Sequence, residues 1–168
     1  QAFQQGIISI LPLTLGVVPF GLVTGIAGIK AGLSPFEITT MSALVYAGAS
    51  QLVALQLMST GASIFFVILA VIVVNLRYIM YSSALAKHLK PLSQPLRAVA
   101  AFELVDQNFA LTINRSQELG EKLTPWFYLG SGVPLWVGWS IFTWVGATLG
   151  ARVPESWCRA RAGKGAAR

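Results

Sequence analysis

The chain has 168 residues, of which 55% are hydrophobic and only 11% charged, against ~25% charged residues in an ordinary soluble domain. Its net charge of +6 is uneven: seven basic residues face five acidic ones through Gly150, and five face one in residues 151–168. The basic character therefore belongs to a tail and does not describe a nucleic-acid-binding surface. The single cysteine, Cys158, excludes an intramolecular disulfide, and the single histidine, His88, excludes a histidine-based metal cluster. These values describe an all-α, polytopic bundle of transmembrane helices in a lipid bilayer, with neither metal nor cofactor expected. At ~20 residues per span plus loops, the length allows about five spans. They are expected at about residues 6–29, 35–58, 62–86, 96–113 and 124–150, with 151–168 as a disordered basic tail.

The chain starts at Gln1 rather than at a methionine, so its natural N-terminus is expected upstream. The first hydrophobic segment contains Pro12 and Pro19, seven residues apart and so on roughly one helix face. Each proline removes a backbone donor. With Gly16 and Gly21 beside Pro19, the run Leu15–Gly21 is expected to break the helix at mid-membrane depth, where freed carbonyls must face protein or water. The alternative is a kinked but merely structural helix. Gly21 and Gly25, then Gly28 and Gly32, form small-xxx-small pairs suited to close helix packing.

Ser34-Pro35-Phe36-Glu37 reads as a helix start, with Ser34 as cap, proline at the first position and an acid in the first turn. At the centre of the second span stands Tyr46-Ala47-Gly48-Ala49-Ser50-Gln51, small and polar where a lipid-facing helix would be aliphatic. Small residues admit a ligand or a second backbone, and Ser50 and Gln51 offer hydrogen bonds that lipid cannot satisfy. Two readings stand, a substrate site or a helix seam glued by Gln51.

The third span holds an unbroken apolar run, Ile64–Val74, that ends in Asn75-Leu76-Arg77 before Tyr78-Ile79-Met80-Tyr81. An arginine at the centre of such a helix costs about 2.5–3.5 kcal/mol on insertion scales. Either Arg77 snorkels toward the interface or it faces the bundle interior and meets a carboxylate. The following loop, Lys87 to Arg97, is basic and is placed in the cytoplasm by the positive-inside rule, with His88 a solvated loop residue. The fourth segment carries Glu103, Asp106 and Gln107 at i, i+3, i+4 spacing, one helix face that supplies a counter-ion for Arg77. The alternative is an amphipathic surface helix. Asn114 to Lys122 is polar and charge-balanced, as expected of an external loop. In the fifth span Trp126 and Tyr128 are expected as interfacial anchors, and Trp136, Trp139 and Trp144 as deeper packing residues. Gly132-Val133-Pro134 supplies a further break that faintly echoes Gly16–Pro19. The topology then places Lys30–Glu37 inside and Gln1 outside, unless the first segment is re-entrant.

Three motifs read together resemble, in order and spacing, the AzlC family of branched-chain amino acid exporters: Tyr46–Gln51, Asn75–Tyr81 and Asp106-Gln107-Asn108-Phe109-Ala110. The likeness covers about Gly6 to Trp157 and departs from the family at Gln107, where an acid is usual. It implies the large subunit of a two-component exporter in the bacterial inner membrane, whose small partner is an AzlD-type membrane protein. Family chains continue with further hydrophobic segments. The change to a basic, small-residue sequence after Trp157 is expected to reflect a frameshift or truncation.

The mechanism expected from these features is secondary, proton-coupled export of branched-chain amino acids. Helix breaks near Pro19, Gly48 and Pro134 would present free backbone groups to the substrate's charged ends. Tyr46, Ser50, Gln51, Asn75 and Tyr81 would line the site and add hydrogen bonds, and Arg77 would hold a carboxylate. Asp106 or Glu103 would pair with Arg77, receive the ammonium group or carry the proton. The alternatives are a non-transporting structural subunit and a non-functional fragment. Catalysis is not expected, because Ser50 has no general base beside it.

Overall fold

The computed structural model describes residues 1–119 and 124–152. Eight helices follow one another in these residues: α1 (Ala2–Lys30), α2 (Pro35–Val45), α3 (Gly48–Ser59), α4 (Ile64–Asn75), α5 (Arg77–Leu89), α6 (Gln94–Phe102), α7 (Asp106–Leu119) and α8 (Pro125–Arg152). No strand occurs among the described residues. Three stretches are long and apolar enough to cross a membrane, Ala2–Lys30, Ile64–Leu89 and Pro125–Arg152. The expected second and fourth spans are instead divided, into α2 and α3 and into α6 and α7. At ~1.5 Å rise per residue, none of these four short helices alone crosses a ~30 Å hydrocarbon core.

Local chemistry accounts for the turns. Ser34 Oγ accepts from the Glu37 amide at 3.2 Å, and the Ser34 amide donates to Glu37 Oε2 at 2.7 Å, a complete capping box behind Pro35. The preceding helix ends with Gly32 at φ +90°, its amide on the Ile29 carbonyl and the Leu33 amide on that of Gly28. Gly61 repeats this ending after α3, at φ +72°, with the Ala62 amide on the Leu57 carbonyl. Both are left-handed positions where glycine carries no Cβ penalty.

The centre of the fold is the pairing of α1 with α8. A Cβ added at Gly25 would collide with the backbone of Thr143, Gly146 and Ala147, and one at Gly146 with the backbone of Leu22. The backbones therefore touch, as small residues permit between membrane helices. This pairing also overturns the expected breaks near Pro19 and Pro134. Pro12 and Pro19 lie inside an uninterrupted α1, and Pro134 lies inside an uninterrupted α8. Each proline leaves one carbonyl without its helical donor, but the helix continues on both sides of it, and a packed membrane helix tolerates that loss.

Other expectations change as well. Tyr128 is not an interfacial anchor: it is 1% exposed, and its hydroxyl donates to the Ala100 carbonyl at 2.8 Å, tying α8 to α6. Trp139 is buried as expected; Trp136 is partly exposed but packs on Phe102, and Trp144 faces outward. Asn114 to Glu118 form the last turns of α7 rather than a loop, with Arg115 bound to Glu118. Residues 120–122 of that expected loop lie outside the described residues. So do residues 153–168 of the expected tail, while Ala151 and Arg152 complete α8.

Candidate functional site

Three interruptions meet in the middle of the bundle. The first separates α2 from α3. Tyr46 has φ 44° and ψ 43°, the only non-glycine residue with positive φ among the described residues. A left-handed residue with a Cβ costs roughly 1–2 kcal/mol, so tertiary contacts must hold it. Its ring packs against Phe102 at 5.7 Å. The Ala43 carbonyl, which has lost its helical donor, accepts from the Trp136 indole at 3.0 Å. Gln51, 1% exposed, donates to Ser42 Oγ at 3.2 Å and so clasps α3 to α2, and Ser50 Oγ donates to the Ala47 carbonyl at 2.9 Å. Ser50 and Gln51 thus bind the break itself.

The second interruption is Glu103-Leu104-Val105, between α6 and α7. Because the helix stops at Phe102 and restarts at Asp106, the expected common face of Glu103, Asp106 and Gln107 does not exist. Asn108, fully buried, holds the link: its Nδ2 donates to the Glu103 carbonyl at 3.2 Å and to the Tyr128 carbonyl at 3.4 Å, and its Oδ1 accepts from Ser131 Oγ at 2.5 Å. Glu103, 5% exposed, lies against α8 at Gly132, where a Cβ would overlap its carboxylate.

The third interruption is slight, a single turn at Leu76 between α4 and α5. It aims Arg77 into the bundle. Arg77 Nη1 meets Asp106 Oδ2 at 2.9 Å, and Tyr81 donates to Asp106 Oδ1 at 3.0 Å. The Tyr81 ring stacks on Phe109 at 4.0 Å, and the Arg77 guanidinium stands 5.2 Å from the centre of the Tyr78 ring. Of the two readings of Arg77, the structure has the interior one, with Asp106 as its counter-ion and Glu103 apart from it. Arg77 Nε and Asn75 Oδ1 are buried without a partner among the described residues.

Between these interruptions and the long helices lies a cavity of about 250 Å³. Val17 and Phe20 of α1, Leu52 of α3, and Leu135 and Trp139 of α8 form its apolar walls. Tyr46, Tyr78, Asp106 and Gln107 bring polar groups, and Gly48 makes room for the Trp139 ring, which a Cβ would approach to 2.7 Å. The hydroxyl of Tyr46 and the indole nitrogen of Trp139 have no hydrogen-bond partner among the described residues. Helices α3 and α7 both begin at this cavity, so unpaired amides and the positive ends of two helix dipoles converge on it.

Among the residues singled out from the sequence, Tyr46, Gly48 and Asp106 line the cavity, and Arg77 and Tyr81 surround Asp106. Pro19, Ser50, Gln51, Asn75 and Glu103 do not line it. Sequence reasoning missed Phe20, Tyr78 and Trp139. Tyr78 stands inside the Asn75–Tyr81 motif and was legible there; nothing local distinguishes Trp139 from the other tryptophans of α8. No group of three or more His, Cys, Asp or Glu residues is placed to hold a metal ion among the described residues.

The sequence profile described as AzlC protein matches residues 12–153. Among curated proteins, the chain is similar to the inner membrane protein YgaZ of Escherichia coli strain K12, with 27% identity over 150 residues covering 89% of this chain and 61% of YgaZ. It is 34% identical over 136 residues to a membrane protein of Archaeoglobus fulgidus, covering 81% of this chain and 58% of that one. A Helicobacter pylori membrane protein is 30% identical over 111 residues, 66% of this chain and 48% of its own length. The chain thus spans about half to three fifths of the length of these relatives. No solved structure matches it. With a helical bundle, three stretches able to cross a membrane and a profile match over most of its length, the chain belongs to the AzlC family of membrane proteins.

Proposed function

We propose that the chain forms the substrate pathway of a secondary transporter that exports branched-chain amino acids across the bacterial inner membrane, coupled to protons and working with a small AzlD-type membrane subunit. The observation that carries this reading is the central cavity, where apolar walls from α1, α3 and α8 face a charged edge at Asp106, whose carboxylate Arg77 holds from behind the wall. Its volume of about 250 Å³ lies just below the ~300–1,000 Å³ of pockets for drug-sized ligands, a size that suits one small amino acid.

Each end of a zwitterion finds a complement. The ammonium group is directed to Asp106 and Gln107. The carboxylate is directed to the unpaired amides at the start of α3, the positive end of that helix, and to Arg77. Val17, Phe20, Leu52 and Leu135 surround the aliphatic side chain, whose transfer from water contributes about 1.5–3 kcal/mol. Tyr46 and Trp139, both of which line the cavity, keep two further buried donors without a partner among the described residues. Gln51, engaged with Ser42, serves the fold and not the substrate, so at that one position the reading of helix glue is preferred.

The test is efflux of preloaded leucine or valine from cells expressing the chain together with its small partner. Export above the vector control, abolished by Arg77→Ala at equal membrane abundance, is the expected result. Unchanged efflux in that variant would remove Arg77 from the substrate path.

A further inference from the structure

The two acids at the α6–α7 interruption have unlike surroundings, and we infer that Glu103, and not Asp106, is the group that carries the proton through the transport cycle. The inference rests on the transport reading above and assigns its coupling site.

Asp106 has its charge compensated on both oxygens, by Arg77 at 2.9 Å and by the Tyr81 hydroxyl at 3.0 Å. Among the described residues Glu103 has neither kind of partner. It is 5% exposed, no basic side chain among the described residues lies within ion-pair distance of it, and its Oε2 has no hydrogen-bond donor. That oxygen packs against the bare Cα of Gly132. The titratable groups close to it on packed elements are the hydroxyls of Tyr46, at the end of α2, and of Tyr128, on α8; no charged side chain among the described residues pairs with it. Several kcal/mol are needed to bury an ionised carboxylate without a cation. In the packed position shown here burial therefore favours the neutral acid at Glu103, and water that reaches it favours the carboxylate.

Glu103 lines neither cavity, but the link it begins stands between two of them. On one side of the Glu103–Val105 link, Val105, Asp106 and Tyr46 line the central cavity. On the other, Ala100, Leu104 and Tyr128 line a second cavity of about 450 Å³ that also carries Lys87, Lys90 and Arg97. The positive-inside rule puts this basic end in the cytoplasm. In exchange for an outgoing amino acid, the Glu103 carboxylate takes a proton from the central cavity and forms the O–H bond of the acid. It later loses that proton to water in the second cavity, where the surrounding positive charge favours its departure. Hydronium in the central cavity supplies the proton and water in the second cavity takes it up as hydronium, so at each transfer one O–H bond breaks and one forms.

Glu103→Gln keeps the shape of the neutral acid and removes the proton. In proteoliposomes holding the protein with its partner, wild type is expected to exchange labelled leucine across the membrane and to accumulate it when a pH gradient is imposed. The variant is expected to keep exchange and lose the gradient-driven accumulation. Accumulation that persists, or exchange that disappears with it, overturns the assignment while leaving leucine transport by wild type established. Infrared spectroscopy supplies a readout that needs no substrate: the carbonyl stretch of a protonated carboxylic acid at neutral pH, present in wild type and in Asp106→Asn and absent in Glu103→Gln. Wild type that exchanges no leucine refutes the transport reading, and the band then still decides the protonation of Glu103. A band missing from wild type, or surviving in Glu103→Gln, overturns the inference.

Discussion

The α1–α8 pair and the shorter helices beside it respond to similar sequence features in opposite ways. Pro12, Pro19 and Pro134 stand inside α1 and α8, yet both helices run unbroken for 29 and 28 residues. The chain opens instead at Tyr46-Ala47 and at Glu103–Val105, where there is no proline. In the long pair, backbones touch at Gly25 and Gly146, so packing along the whole seam holds the helix across each missing bond. At the short helices particular side chains bridge the breaks: the Trp136 indole on the Ala43 carbonyl, Gln51 on the Ser42 hydroxyl, and Asn108 on the Glu103 carbonyl and on α8 at the Tyr128 carbonyl. A proline is a local weakness that a close neighbour absorbs. A break persists where neighbours supply the substitute hydrogen bonds, and it is the breaks, not the prolines, that border the cavity.

The sharpest way to test this contrast is to open the seam. Gly25→Leu forces a side chain into the backbone of Thr143 and Ala147, and the expected loss is about 3 kcal/mol or more, at or beyond the upper end for overpacking. It would be read as a large fall in the melting temperature of the detergent-purified protein. An unchanged melting temperature would show that the α1–α8 contact does not hold the fold together.

A smaller effect is expected on the broken side. Arg77→Ala leaves Asp106 without its cation, and because both side chains are partly exposed, 27% and 43%, the expected destabilisation is about 1–2 kcal/mol, between exposed and buried pairs. The double variant Arg77→Ala/Asp106→Ala should recover most of that stability without recovering leucine binding by equilibrium dialysis. Recovery of both would make the ion pair a strut and nothing more.

The smallest change belongs to Pro19→Ala. If α1 is continuous throughout the cycle, alanine restores a hydrogen bond to the Leu15 carbonyl, stability stays the same or rises by about 1 kcal/mol, and leucine efflux is unaltered. A clear loss of efflux with intact stability would mean that the helix does open at Pro19 in another state, and would bring the two halves of the comparison closer together.

Much of this protein was determined by its sequence alone, wherever the physics is local or compositional. An apolar chain with few charges must be a membrane bundle, because lipid demands that backbone bonds close within each helix. Ser34, Pro35 and Glu37 start α2 as their chemistry dictates, and the glycines of α1 announced a close helix contact. Arg77 was legible as a charge in need of a partner, since burial without one is too costly. The tertiary structure decided the rest, because it depends on what arrives from far along the chain. Asp106 rather than Glu103 meets Arg77 because the helix between them is interrupted and the two carboxylates point to different neighbours. Tyr128 is a core strut because Ala100 offers it a carbonyl. No spacing rule contains these facts, for each is a hydrogen bond or an ion pair between residues 28 or 29 positions apart, closed only when α1 and α8 have brought the short helices around them.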